Sequence, residues 1–267
     1  MISARRRPPP HTAVPTTTST TPEGGAVSSR FIEALLTAER PLITEVKRRD
    51  AHGLELLAGR TPADIVAAYE AAGAPCISVV TGRWFGGTPS LLRDVARITR
   101  LPLLQKDFIT RREQLHTARE LGASAVLLTA ALLPGTAMRT LVTEALRTGL
   151  TPFVEITGES ELADIPHADE CVIAVNNKDI TARERDAGDI ERSIALLPAV
   201  LATGTPCPVS ASAIDAPGTA ARLLDEGYAG LLVATALLRA RDPHAWLARL
   251  DGARRAPARL VTAGGTR

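Results

Sequence analysis

The chain has 267 residues, 45% of them hydrophobic and 22% charged, which is ordinary for a globular protein and long enough for one large α/β domain. A formal charge of +2 is too mild for a nucleic-acid surface, and 3% aromatic content leaves little to stack bases on. No apolar run reaches the roughly 18 residues needed to cross a bilayer. Arg5-Arg6-Arg7 leads into Pro8-Pro9-Pro10 and not into an apolar signal core. Cys76, Cys171 and Cys207 are an odd number, lack metal-ligand spacing and sit at or beside expected strand starts. They are expected as small buried residues in a reducing cytoplasm, with no metal and no cofactor implied.

Residues 1–27 are rich in Pro, Thr, Ser, Gly and Arg without apolar periodicity, the signature of a disordered tail. A helix follows, with Ser28 or Ser29 as its cap and Phe31, Ile32, Leu35 and Leu36 at helical spacing. From residue 41 one pattern repeats: a short apolar run, then a helical amphipath. Strands are expected at 41–47, 75–80, 102–106, 124–128, 151–156, 171–175, 206–210 and 229–233. Helices are expected near 62–72, 89–99, 111–121, 135–149, 159–164, 188–197, 217–226 and 243–251. Thr61-Pro62 marks a helix start, and Gly73, Gly122, Gly149 and Gly227 mark stops. Eight such units predict an α/β chain closed as a single (β/α)₈ TIM barrel over residues 28–252, N-terminal helix included, with a C-terminal tail at 253–267. An open doubly wound sheet fits less well, because Lys47-Arg48-Arg49-Asp50 and not a Gly-rich turn follows the first strand.

In such a barrel the chemistry sits at the carboxyl ends of the strands. The run Leu101-Pro102-Leu103-Leu104-Gln105-Lys106-Asp107-Phe108 brings a lysine to the end of a buried strand, where an ammonium is costly unless it is paired or used. The other strand ends supply Glu45 and Lys47, Glu155, Asn176 and Asn177, and Ser210 and Ser212. Glu45 and Lys47, two apart, project to one side of their strand. Two lysines and two glutamates at one barrel mouth form an acid/base set; any one of them alone also fits an ion pair at a strand end.

The run Leu42-Ile43-Thr44-Glu45-Val46-Lys47-Arg48 resembles the first strand of indole-3-glycerol-phosphate synthases. So do Ser78-Val79-Val80-Thr81 with Trp84-Phe85-Gly86-Gly87-Thr88, and Leu103-Leu104-Gln105-Lys106-Asp107-Phe108-Ile109. The likeness continues through Gln114, Gly122-Ala123-Ser124-Ala125-Val126-Leu127-Leu128, Phe153-Val154-Glu155-Ile156 and Val175-Asn176-Asn177-Lys178-Asp179-Ile180, over roughly residues 30–250. The resemblance implies a carboxy-lyase that closes 1-(2-carboxyphenylamino)-1-deoxyribulose 5-phosphate to an indole, with loss of carbon dioxide and water. It implies Lys106 as general acid, Glu155 as the base of dehydration, Lys47 as holder of the substrate carboxylate and Glu45 as the group positioning Lys47. Asn176 would bond substrate hydroxyls, Phe108 and Phe85 would wall the anilino pocket, and Ser212 and Lys178 would also touch substrate.

The departures from the family pattern cluster at its phosphate cradle. Asp50-Ala51-His52 stands in place of Ser-Pro-Ser, Ala211-Ser212-Ala213 in place of Glu-Ser-Gly, and Ala234-Thr235 in place of a glycine. Methyl groups at Ala213 and Ala234 crowd the backbone approach to an anion, Asp50 is expected to repel a dianion, and His52, Arg48 or Arg49 could compensate. Three functions therefore stand side by side: the synthase itself, a paralogue acting on a different and non-phosphorylated anilino-sugar in specialised metabolism, and a non-catalytic binding or scaffold barrel. An aldolase-type barrel using Lys106 as a Schiff base is a fourth. In each enzymatic case the expected partner is a small-molecule substrate, with no nucleic acid and no membrane, and the chain acts as a monomer or weak homo-oligomer in the cytoplasm.

Overall fold

Strands with apolar residues at every position must bury both faces, and a closed parallel sheet wrapped in helices does that. The computed structural model describes residues 29–180 and 185–255. It places β1 (Leu42–Val46), β2 (Cys76–Val80), β3 (Leu103–Lys106), β4 (Ala125–Thr129), β5 (Thr151–Ile156), β6 (Val172–Asn176), β7 (Cys207–Ala211) and β8 (Gly230–Val233) in one closed barrel in chain order. Closure comes from β1 pairing parallel with β8 through Leu42 and Leu231, Ile43 and Leu232, and Thr44 and Val233. The expected 1–27 tail lies outside the described residues.

The two faces of the strands build two cores. Ile43, Leu104, Leu127, Phe153, Val172, Val209 and Leu232 fill the barrel interior. Val46, Ile77, Val79, Val126, Val154, Ile173 and Leu231 pack outward against the helices. The first helix, α1 (Arg30–Leu36), is capped by Ser29, whose hydroxyl accepts from the Ile32 N–H. It turns Phe31, Ile32 and Leu35 into the interior core, and the fully buried Phe31 ring meets Phe153 edge-to-face at 6.3 Å. This plugs the barrel from below and stabilises it by about 2–3 kcal/mol for the phenyl ring alone. The opposite end is left open for chemistry.

The outer layer is α2 (Pro62–Ala71), α3 (Pro89–Ile98), α4 (Arg112–Glu120), α5 (Gly135–Arg147), α6 (Glu191–Ala202), α7 (Pro217–Glu226), α8 (Thr235–Arg239) and α9 (Pro243–Arg255). Thr61 and Asp64 form a reciprocal capping box on α2, with Pro62 in the first turn as its sequence predicts. Among the described residues no helix is long and apolar enough to cross a membrane.

Four elements differ from expectation. The helix expected at 159–164 is a 3₁₀ helix over those six residues, ended where Pro166 holds Ile165 in an extended conformation. The helix expected to stop at 197, before Pro198, spans 191–202 with the proline inside it. The buried Leu197 and Val200 hold the turn that the missing N–H weakens. The short α8, where no helix is expected, follows β8 directly, and α9 runs through Arg255, past the expected start of the C-terminal tail at 253.

Candidate active site

Strand register places the charged residues at the open end. Glu45 of β1 pairs with Ser78 of β2, and Val80 of β2 with Lys106 of β3, so Lys106 lies two strands along from Glu45 on the same rim. Glu45 is fully buried, with Oε1 3.2 Å from Lys47 Nζ and Oε2 3.8 Å from Lys106 Nζ. Oε2 also accepts from the Ser78 hydroxyl at 2.9 Å. Burial by itself pushes the Glu45 carboxyl up, but the two lysines and the Ser78 hydrogen bond outweigh it and hold the group below its ordinary value. Behind the strand, the buried Tyr69 hydroxyl donates to the Glu45 carbonyl at 3.0 Å and ties the site to the outer core.

These residues open onto a cavity of about 210 Å³. Of the residues expected from sequence, Glu45, Lys47, Lys106, Lys178 and Ser212 line it, as do His52, Ala213, Ala234 and Thr235 of the expected phosphate side. Glu155 and Asn176 lie in the strand wall, 1% and 0% exposed. The Asn176 side-chain oxygen Oδ1 accepts from the Lys178 N–H at 2.9 Å, while its buried Nδ2 has no hydrogen-bond partner. A buried amide donor that the protein leaves unmatched is suited to a ligand oxygen. Phe85 and Phe108 stand on the loops beside the cavity: Lys47 Nζ lies 5.5 Å from the Phe85 ring centre, and Trp84 meets Phe108 edge-to-face at 5.2 Å.

Those loops are held from outside the cavity. Asp107 accepts from the Thr81 hydroxyl at 2.7 Å and from the Phe108 N–H at 2.8 Å, and Gln114 donates to the Phe108 carbonyl at 3.0 Å. Gly87 packs so closely on the end of β2 that a Cβ would sit 2.2 Å from the Val80 carbonyl oxygen. Only glycine lets the loop carrying Trp84 and Phe85 fold back there.

Asn177 and Ser210 serve the scaffold and not the cavity. The Asn177 amide donates to the Ser210 hydroxyl and the Ser212 carbonyl and accepts from the Ser193 hydroxyl at 2.7 Å. This network fixes a turn in which Ser212 and Ala213 adopt positive φ values of 68° and 57°. Ala211, in place of a carboxylate, joins the interior core.

Asp50, expected from sequence to repel a dianion, is itself engaged by two backbone N–H groups and a guanidinium. Its Oδ1 accepts the N–H groups of His52 and Leu54, both at 2.9 Å, and its Oδ2 meets Arg239 Nη2 at 2.7 Å. Burial alone raises its pKa, but those N–H bonds and the guanidinium win and hold it below its ordinary value. Ser78 and Arg239 are the site residues that strand-end inspection misses. Arg239 could be found only by recognising α8, and Ser78 only from register. Among the described residues no group of three or more His, Cys, Asp or Glu side chains could hold a metal ion.

The sequence model of the family described as indole-3-glycerol phosphate synthase matches residues 7–250. The indole-3-glycerol phosphate synthase of Thermococcus kodakarensis is 37% identical over 219 residues, covering 81% of this chain and 95% of that protein. Indole-3-glycerol phosphate synthase 1 of Streptomyces coelicolor is 37% identical over 218 residues, covering 81% and 79%. A chain from the tryptophan synthase α2β2 complex of Pyrococcus furiosus shares the fold alone, with a TM-score of 0.58 at 14% identity over 79% of this chain and 97% of that one. With the family model matching residues 7–250 and relatives 37% identical over most of the chain, the chain belongs to the indole-3-glycerol phosphate synthase family.

Proposed function

We propose that this enzyme is a carboxy-lyase converting 1-(2-carboxyphenylamino)-1-deoxyribulose 5-phosphate to indole-3-glycerol phosphate, carbon dioxide and water. The observation that carries the assignment is the buried Glu45 carboxylate shared by Lys47 and Lys106 at the cavity floor. Two ammonium groups held by one carboxylate are suited to a substrate that brings its own carboxylate and develops an alkoxide as its ring closes.

The ring carbon bearing the carboxylate attacks the ribulose carbonyl carbon, and Lys106 gives a proton to the carbonyl oxygen as the C–C bond forms. Lys47 holds the departing carboxylate. As the C–CO₂ bond breaks, its electron pair returns to the ring. The new hydroxyl then leaves as water with a proton from Lys47 while Glu155 takes the proton from the neighbouring carbon, completing the indole; Glu155 returns its proton to the lysines and solvent supplies the one consumed in decarboxylation. Glu45 orients both lysines, the unmatched Asn176 amide bonds a substrate hydroxyl, and Phe85 and Phe108 flank the anilino ring.

The enzyme works on a small molecule in the cytoplasm, as a monomer or weak homo-oligomer and without nucleic acid. All three cysteines are free and buried, and burial pushes the Cys171 and Cys207 thiols up to about 12, which suits a reducing compartment where thiols serve packing alone. Incubation of the purified protein with the anilino-deoxyribulose phosphate, followed by indole fluorescence, tests the reaction. Stoichiometric indole and carbon dioxide are expected. A folded protein that releases neither would refute the assignment.

A further inference from the structure

The cavity lined by Lys47 and Lys106 is also lined by an arginine outside the strand-end set. Arg239 ends α8 and lines the cavity together with Lys178, His52 and Ser212. Its partner Asp50 lies on the loop after β1, and α8 follows β8, so the pair bridges the two loops on either side of the β1–β8 seam. Among the described residues a single guanidinium N–H, on Nη2, is engaged by Asp50. Asp50 is itself fixed in place, because its other oxygen takes two backbone N–H groups. The Arg239 side chain is 53% exposed, where an ion pair adds little to stability.

A guanidinium gripped at one corner keeps a planar fork of remaining donors, a geometry that fits two oxygens of one phosphate and that a lysine cannot reproduce. The positive charges deeper in the cavity are already committed, since Glu45 takes both Lys47 and Lys106. We infer that Arg239, positioned by Asp50, is the specificity-determining anchor for the phosphate ester of the substrate. It takes over a role for which the altered residues Asp50, Ala213 and Ala234 no longer offer a hydroxyl or a bare glycine. The inference rests on the synthase assignment above.

Steady-state kinetics of the full-length protein test it, with the phosphorylated substrate and its dephosphorylated counterpart compared side by side. Arg239→Ala is expected to raise KM for the phosphorylated substrate by about 10–100-fold with kcat within about threefold, the cost of losing charged hydrogen bonds made equally before and during reaction. Arg239→Lys should recover part of the loss, and the dephosphorylated substrate should show no change. Asp50→Asn should change KM while Arg239 is present and leave it unaltered in the Arg239→Ala background. A KM for the phosphorylated substrate within twofold of wild type in Arg239→Ala, or an equal Asp50→Asn effect in both backgrounds, overturns the inference. Wild-type protein inactive on both compounds overturns the reaction assignment instead. Calorimetry with inorganic phosphate then decides: binding lost in Arg239→Ala supports the anchor, and equal binding contradicts it.

Discussion

Glu45 Oε2 lies 3.8 Å from Lys106 Nζ while Oε1 of the same carboxylate lies 3.2 Å from Lys47 Nζ, so one buried anion sets the position of both site cations. Lys47 and Lys106 are themselves only 9% and 13% exposed through their side chains. Removing the anion leaves two ammonium groups facing each other in a poorly solvated wall. Glu45→Gln is therefore expected to cost about 3 kcal/mol by urea denaturation at pH 7. The pH dependence follows from the lowered pKa of Glu45. A carboxyl depressed in the folded state contributes stability above its ordinary value of 4.5, and that contribution is lost as pH falls through the lower folded value. The gap between wild type and Glu45→Gln should be wide at neutral pH and close in the acid. A gap that stays constant down the acid limb would refute this.

Glu155 is assigned to dehydration, after carbon dioxide has already left. Glu155→Gln should therefore separate the two products in time, with carbon dioxide released ahead of indole in a single turnover and overall kcat down by about 10²–10⁴-fold. Strictly simultaneous release at the reduced rate would place Glu155 in an earlier step.

Gly188 and Ala213 are coupled across the mouth. Gly188 has φ +79°, and a Cβ there would lie 2.6 Å from the Ala213 methyl, itself on a backbone at φ 57°. Gly188→Ala should lower stability by about 2 kcal/mol, from the left-handed backbone and the clash together. In an Ala213→Gly background the clash disappears, so the penalty should shrink. A double-mutant cycle by chemical denaturation checks this, and strict additivity would contradict the contact.

Arg40 closes the chain's two ends together: its Nε and Nη2 grip both oxygens of Asp251 on α9, the closest contact being 2.6 Å. The hydrogen bond from Arg40 is the leading reason that the Asp251 carboxyl stays below its ordinary value. Arg40→Ala is expected to cost about 1 kcal/mol, because the pair is bidentate and mostly shielded, and less in high salt. Unchanged thermal midpoints at low and high salt would show the grip to be idle.

The barrel was legible because apolar runs such as Cys76–Val80 and Val172–Asn176 leave no polar face, and a Gly or Pro marks most helix boundaries. The six-residue stretch at 159–164 and the proline in α6 misled because local rules gave way to chain economy in one and tertiary packing in the other. At the site, Glu45, Lys47 and Lys106 could be read from strand ends, since a buried charge there demands a partner. Arg239 could not: it sits on a five-residue helix with no capping signal, and its partner Asp50 looked like an intruder until the closing seam brought the two together.

The most direct test of the account is the turnover of Lys106→Ala against wild type on the anilino-deoxyribulose phosphate, followed by indole fluorescence at saturating substrate. Loss of a general acid predicts kcat lower by about 10²–10⁴-fold in a protein that remains folded. Near-normal turnover in that variant would contradict it.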